Sequence, residues 1–265
     1  MLYTDFSFIR RLAMNTIIKT CLLLLISHST FAYGPLGHQT VAALAWDQLT
    51  PFAKQNVGRI LGQGQEAFIE SSTWADEIKS DSRFNYLKPM HYVNLPKDAH
   101  NYVAKRDCKK NNCIVSAIKK FSTIAKTGSP KEQTLALRML VHLFADIHQP
   151  LHAGLREDRG GNWYEIEYNK KTISLHKFWD NQAVKRQGKT LEAVIEKLAN
   201  QALPNQAGKP KQWAEYSHGL VMAHVYNVKE GDELSEAYLE KADEITQQQL
   251  VHAGYRLAMW LNRLW

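Results

Sequence analysis

Residues 141–152 read VHLFADIHQPLH, three histidines and an aspartate within twelve positions, with Pro150 interrupting the run. In a helix His142 and Asp146 stand one turn apart on the same face, whereas His148 is turned well off it. His142 and Asp146 can therefore share a metal ion. Pro150 has no amide hydrogen and disfavours helix in the residue before it, so the chain is expected to leave the helix near Gln149 and swing His152 elsewhere. One short segment thereby feeds two neighbouring metal positions.

A single His-x-x-x-Asp pair is more often a surface or capping pair than a ligand set. Here the pair recurs. Residues 176–180 read HKFWD, again histidine and aspartate four apart, and neutral imidazole nitrogen with carboxylate oxygen is a donor set that divalent zinc accepts. Further candidates are His38, Asp76, His91 and His152.

Around these residues the chain is read as helical. The run YGPLGHQTVAALAWDQL from Tyr33 has Val41, Leu44, Ala45 and Leu49 at helical spacing, with His38 near its start. Thr50-Pro51 reads as an N-cap and first helical position for a helix to about Leu61. A third helix is expected over 66–79, a long loop over 81–113, and helix again over 114–126. Ser129-Pro130-Lys131-Glu132 is a capping box with proline at the first helical position, which starts a helix running towards His148. Runs 163–168 and 172–175, joined by Asn169-Lys170-Lys171, predict a small hairpin. Helices are then expected over 176–184, 190–200, 212–226 and 235–265. The class is all-α: a single-domain multi-helix bundle with one small β-hairpin, spanning 33–265.

The first 32 residues are set apart from this domain. Arg10, Arg11 and Lys19 precede the apolar run 21–26, and Thr30-Phe31-Ala32 places small residues at −3 and −1. That is the pattern of a secretory signal peptide cleaved after Ala32; Met14 offers an alternative start, since MNTIIKTCLLLLISHSTFA is complete by itself. The apolar run is too short to span a bilayer. Localisation is therefore expected to be secreted or periplasmic, with no stable membrane insertion and no obligate protein partner. Removing three basic residues and one acid lowers the formal charge from +7 to +5. A surplus spread along the chain is compatible with a polyanionic partner and equally with a solvated surface. Cys108 and Cys113 remain after processing, spaced C-x4-C in a Lys- and Asn-rich stretch. In an exported chain they read as a disulfide, since no second cysteine pair completes a zinc site.

In order and spacing, GPLGH (34–38), WAD (74–76), HYVN (91–94), VHLFADIHQPLH (141–152), DRGGN (158–162) and HKFWD (176–180) resemble the zinc-dependent S1/P1 nucleases, whose fold is shared with bacterial zinc-dependent phospholipase C. The resemblance implies three zinc ions. Asp76, His91, His142 and Asp146 would hold the first; His152, His176 and Asp180 the second. The third would take His38, Asp146 as a bridge, and the amino nitrogen and carbonyl oxygen of Tyr33. Only signal cleavage frees that nitrogen, because an amide has no lone pair to donate. The family usually has tryptophan at position 33, but main-chain ligands tolerate tyrosine.

The implied activity is hydrolysis of single-stranded DNA, RNA and 3′-nucleotides to 5′-phosphorylated products, with Asp76 and Asp146 as catalytic carboxylates. Tyr92 would stack a base, which requires an unpaired strand. Asn94 stands where several members carry a base-binding aspartate. Asn162, Asn181 and Lys79 are further candidates for substrate contact. Two rival readings are a phospholipase C, against which HKFWD has aspartate where the lipases have glutamate, and a non-catalytic zinc or nucleic-acid binding protein, which usually shows closed cysteine-rich sites. His148, His218, His224 and His252 are read as core or surface residues, and Trp213, Trp260 and Trp265 as packing.

Overall fold

A computed structural model describes residues 33–204 and 208–265. The signal-peptide reading falls on residues outside these. Within them the fold is helical, with one two-stranded antiparallel sheet.

Helix α1 (Pro35–Asp47) carries His38 in its first turn. Helix α2 (Pro51–Leu61) starts as its sequence requires, with the Thr50 hydroxyl accepting the Ala53 amide at 3.2 Å. Helix α3 (Gly64–Ser71) then stops short of the expected 66–79 span, and the chain resumes as the turns Trp74–Glu77 and Ile78–Ser80. The break has a local and a tertiary cause. Ser72 and Thr73 hydroxyls donate back to the carbonyls of Ile69 and Glu70, while the Ser72 carbonyl is taken by His142 at 2.8 Å.

The expected loop over 81–113 is more ordered than its prolines suggested. It holds a 3-10 segment, Ser82–His91, a helical turn at Ala104–Asp107 and another 3-10 turn at Lys109–Asn111. The Cys108–Cys113 disulfide closes the last of these. The next amide, that of Ile114, donates to the Tyr92 carbonyl at 3.1 Å.

Helices α4 (Ile114–Thr127) and α5 (Pro130–Asp146) form an antiparallel pair at the centre. At the start of α5 the Glu132 carboxylate accepts the Ser129 amide at 2.9 Å and its hydroxyl at 2.6 Å. Every residue from Met139 to Asp146 is buried, so this end of α5 is wrapped on all sides. The helix ends at Asp146 rather than near Gln149, and Pro150 opens a 3-10 turn, Pro150–Ala153, that carries His152 away from the helix axis.

Strands β1 (Glu165–Tyr168) and β2 (Lys171–Ser174) pair with Tyr168 opposite Lys171. The connection is therefore Asn169-Lys170, two residues and not three. Both have positive φ, 54° and 59°, the type I′ geometry that matches the twist of the strands. The expected helix 176–184 is split into an α turn, a π turn at Phe178–Gln182 and a second α turn. Helices α6 (Leu191–Leu198), α7 (Pro210–Leu220) and α8 (Glu236–Leu264) complete the fold; α7 continues into another π turn, Val221–Val225. Helix α8 lies against α1, and a Cβ at Gly254 would come within 2.6 Å of the Leu44 Cβ. Glycine is what permits this approach.

Candidate metal centre

Five separate segments deliver buried imidazoles and carboxylates to one region: the first turn of α1 (His38), the turn after α3 (Asp76), the end of the 3-10 segment (His91), the end of α5 and the turn beyond it (His142, Asp146, His152), and the π-turn segment (His176, Asp180). None of these eight residues is more than 7% exposed. They form three groups whose ligand atoms lie within 4.8 Å of one another: His38, Asp76 and His142; His91, His142 and Asp146; and His152, His176 and Asp180.

Asp146 is at the middle. Its Oδ2 lies 2.9 Å from His91 Nδ1 and 3.2 Å from His142 Nε2. Its Oδ1 faces His38 Nε2 at 3.5 Å and His152 Nδ1 at 3.6 Å. His142 Nε2 is also 3.6 Å from Asp76. In the third group His176 Nε2 is 3.1 Å from Asp180, and His152 Nε2 is 3.8 Å from it. Of the expected first set, His91, His142 and Asp146 form one group while Asp76 falls in another with His38 and His142; the residues of the expected second set, His152, His176 and Asp180, form the remaining group. His38 differs in detail: its ring stacks on His142 at 3.8 Å, so it stands beside Asp76 and His142 as well as Asp146.

The rings are oriented by backbone. Nδ1 of His142 donates to the Ser72 carbonyl at 2.8 Å, and Nδ1 of His176 to the Gly160 carbonyl at 2.6 Å. His152 Nδ1 donates to the His91 carbonyl at 2.8 Å. A carbonyl only accepts, so Nδ1 carries the proton in each, and Nε2 of the neutral ring turns an unprotonated lone pair inward. That is the arrangement metal-bound histidines use.

The donor set fits divalent cations. Both ring nitrogens of His38, Asp76 Oδ2 and Asp146 Oδ1 are buried without a hydrogen-bond partner. Buried carboxylate and imidazole groups left unpaired cost several kcal/mol, about 1–3 for each neutral group and more for a charged one. A cation between them removes that cost.

The electrostatics agree. Burial opposes the charged form of Asp146, yet His142 and His152 outweigh it and hold the carboxyl well below its ordinary range. Asp76 is also depressed, burial again being overcome by His142, His38 and Lys79. Burial lowers His38 far below 6.5 and His91 to about 4. It lowers His152 as well. His142 and His176 go the other way: burial works against them, but Asp146 and Asp76 raise the first and Asp180 the second.

Residue 33 lies at this centre too. The Gly34 amide donates to the Asp180 carbonyl at 2.7 Å, pinning the start of the domain beside a ligand. The Tyr33 side chain is buried, and its hydroxyl is held protonated by burial first and then by the Asp180 and Asp146 charges.

Among the expected substrate contacts, Tyr92 is 44% exposed directly after His91, as a stacking face requires. The Asn94 side-chain oxygen is buried without a hydrogen-bond partner beside Gly160. Asn162 Nδ2 donates to the Arg159 carbonyl at 2.8 Å, and Asn181 packs its amide against Gly34. Lys79 forms an ion pair with Asp76, so it is tied to the centre rather than simply solvated.

Gln149 was not singled out from the sequence. It is fully buried, its Nε2 donates to Asp180 and its Oε1 accepts the Leu151 amide. Its place inside the motif, directly before Pro150, was the available signal. His148 is a core residue as expected, bonded to the Phe144 carbonyl and to Arg256. His218 is buried, with its ring nitrogens facing the Ala153 and Ala99 carbonyls.

The model of the family described as S1/P1 Nuclease matches residues 33–265. Endonuclease 2 of Arabidopsis thaliana is 29% identical over 93% of this chain and 95% of its own length. Nuclease S1 of Aspergillus oryzae is 26% identical, covering 90% and 94% respectively. Nuclease P1 of Penicillium citrinum is likewise 26% identical, covering 88% and 97%.

Proposed function

The chain belongs to the S1/P1 nuclease family and is a phosphodiester-hydrolysing nuclease, and from that premise we propose that it is an exported, zinc-dependent endonuclease of single-stranded DNA and RNA. Its products would be 5′-phosphorylated, and 3′-nucleotides would be further substrates. What supports this reading most is the convergence of eight buried histidines and aspartates with carboxylate oxygens left unpartnered.

Three zinc ions fit the donor set. Asp76, His91, His142 and Asp146 would hold one, and His152, His176 and Asp180 another. His38 and Asp146, with the main-chain nitrogen and oxygen of residue 33, would hold the third. Bound zinc supplies Lewis acidity and brings the pKa of water towards about 7. The chain's own groups do the rest. Asp146 and Asp76 keep their negative charge at neutral pH, so they anchor cations and orient incoming water by hydrogen bonding. Lys79, held on Asp76, would offer an ammonium to a phosphate oxygen of the substrate. Tyr92 offers a ring face to a base that has left its stack, which selects single strands, and Asn94 can donate to or accept from that base.

Cleavage after Ala32 would complete the third site by freeing the amino group of Tyr33. Among the described residues no helix is long and apolar enough to cross a membrane.

The deciding measurement is the metal content of correctly processed protein, paired with hydrolysis of single-stranded DNA, RNA, 3′-mononucleotides and phosphatidylcholine before and after chelation. Zinc-restorable hydrolysis of the nucleic acids alone supports the proposal. Hydrolysis of phosphatidylcholine instead, or none with zinc present, would overturn it.

A further inference from the structure

The segment 158–163 carries an aromatic side chain that the centre does not use. Trp163 is 62% exposed, the highest value for a large apolar side chain among the described residues. The guanidinium of Arg159 lies 5.1 Å from its ring centroid, and Arg159 is itself exposed. The pair is a cation held over an indole in water.

Its position makes it more than a stray surface residue. Gly160 and Gly161 bracket a ligand, the Gly160 carbonyl accepting His176 Nδ1 at 2.6 Å and the Gly161 carbonyl accepting the His176 amide at 3.1 Å. Trp163 follows two residues later, so its Cα lies within about 7 Å of that of Gly161. A Cβ on Gly160 would in turn stand 3.3 Å from the Asn94 side-chain oxygen. The segment that carries Trp163 therefore touches both the centre, through Gly160 and Gly161, and the HYVN segment, through Gly160.

The segment is also held in place. Asp158 accepts the Gly161 amide at 2.8 Å through its side chain and the Trp163 amide at 3.1 Å through its carbonyl; its other carboxylate oxygen takes the Tyr226 hydroxyl. Arg159, Gly160 and Gly161 all have positive φ, 58°, 68° and 76°. For arginine this conformation is uncommon and costs about 1 kcal/mol, which the surrounding hydrogen bonds must offset. An exposed indole on a tethered backbone, beside a cation, matches what single-stranded nucleic acid offers: a π-face on every base and a negative charge on every phosphate.

Resting on the nuclease reading above, we propose that Trp163 and Arg159 form an additional subsite, in which Trp163 stacks a base of the strand outside the nucleotide at Tyr92 and Arg159 meets an adjacent phosphate. The subsite acts on strands of several nucleotides and adds little for a mononucleotide, which cannot reach both aromatic platforms.

The test compares metal-loaded wild type with Trp163→Ala, Trp163→Phe and Arg159→Ala. The readouts are the affinity for a phosphorothioate thymidine oligonucleotide of about twelve residues, the affinity for 5′-thymidylate, a product that is not turned over, and metal content. For Trp163→Ala the oligonucleotide Kd should rise about five- to thirtyfold more than the 5′-thymidylate Kd, the loss expected for one stacked base. Trp163→Phe should recover most of it, and Arg159→Ala should reduce the salt dependence of oligonucleotide binding. Equal changes for the two ligands, or no change for the oligonucleotide, would overturn the subsite. Because a phosphorothioate strand reports binding without cleavage, failure of the nuclease reading shows separately, as wild-type protein that hydrolyses no nucleic acid.

Discussion

The two oxygens of Asp146 look in different directions, one to His91 and His142 and the other to His38 and His152. A single carboxylate so placed can serve two cations, and Asn of the same size cannot, since it has one oxygen and no charge. Asp146→Asn is therefore expected to cut hydrolysis of single-stranded DNA by more than about a hundredfold and to lower bound metal. An active variant with its metals retained would contradict the assignment. The histidines make a second prediction, about pH. Metal ligands must be unprotonated, and His142 and His176 hold protons more tightly than free histidine because of their carboxylates. In the metal-free protein those protons stabilise the fold below the ordinary value of about 6.5 and the benefit is lost as pH rises through the raised folded value. Metal affinity runs oppositely: it should fall on acidification through that raised value, whereas His91, depressed to about 4, adds no loss until far lower pH. Chelator-competition titrations from about pH 5 to 8 check this, and a pH-independent affinity would refute it.

At the scale of elements, the short stretch between α5 and the Pro150 turn decides where His152 goes. It is clamped from two helices. Gln249 of α8 donates to the His148 carbonyl at 2.6 Å and lies 3.2 Å from the Ser217 hydroxyl of α7, which donates to the Ile147 carbonyl at 2.8 Å. All of this is buried, so Gln249→Leu leaves the His148 carbonyl with only the more distant Tyr33 hydroxyl at 3.5 Å and takes the donor from the Ser217 hydroxyl, which should destabilise the protein by about 1–3 kcal/mol. Thermal unfolding would show it, and a Tm equal to that of wild type would mean the clamp contributes nothing. The π turn at Phe178–Gln182 has a comparable place. It carries Asp180 in a buried position, consistent with the frequency of such turns at functional sites.

For the whole molecule, candidate ligands drawn from five segments mean that bound cations would also join parts of the fold that local structure leaves separate. Anything bound only by the folded chain stabilises it, by about 2.7 kcal/mol at a hundredfold excess over Kd. For a chain of this size that corresponds to about 5–10 °C in Tm for each ion. Chelation should accordingly lower Tm in stages as the sites empty, and readdition of zinc should restore it. A Tm that chelation leaves unmoved would separate the centre from the stability of the fold.

Much of this was readable in the residues because its causes are local. Thr50, Ser129-Pro130 and Ser235 start helices through bonds to their own next few residues, and the alternation around Asn169-Lys170 makes a hairpin wherever it is placed. The ligand types and their pairing at four-residue spacing are local as well. The tertiary structure alone decided which carbonyl orients each ring and which carboxylate faces which imidazole. His142, His152 and His176 are aimed by carbonyls 70, 61 and 16 residues away, and every residue carries the same carbonyl group, so no side-chain pattern marks the ones that matter. The breaks at Ser72-Thr73 and in the π turn have the same origin. There the backbone leaves its regular hydrogen bonds to serve a buried centre assembled from distant parts of the chain.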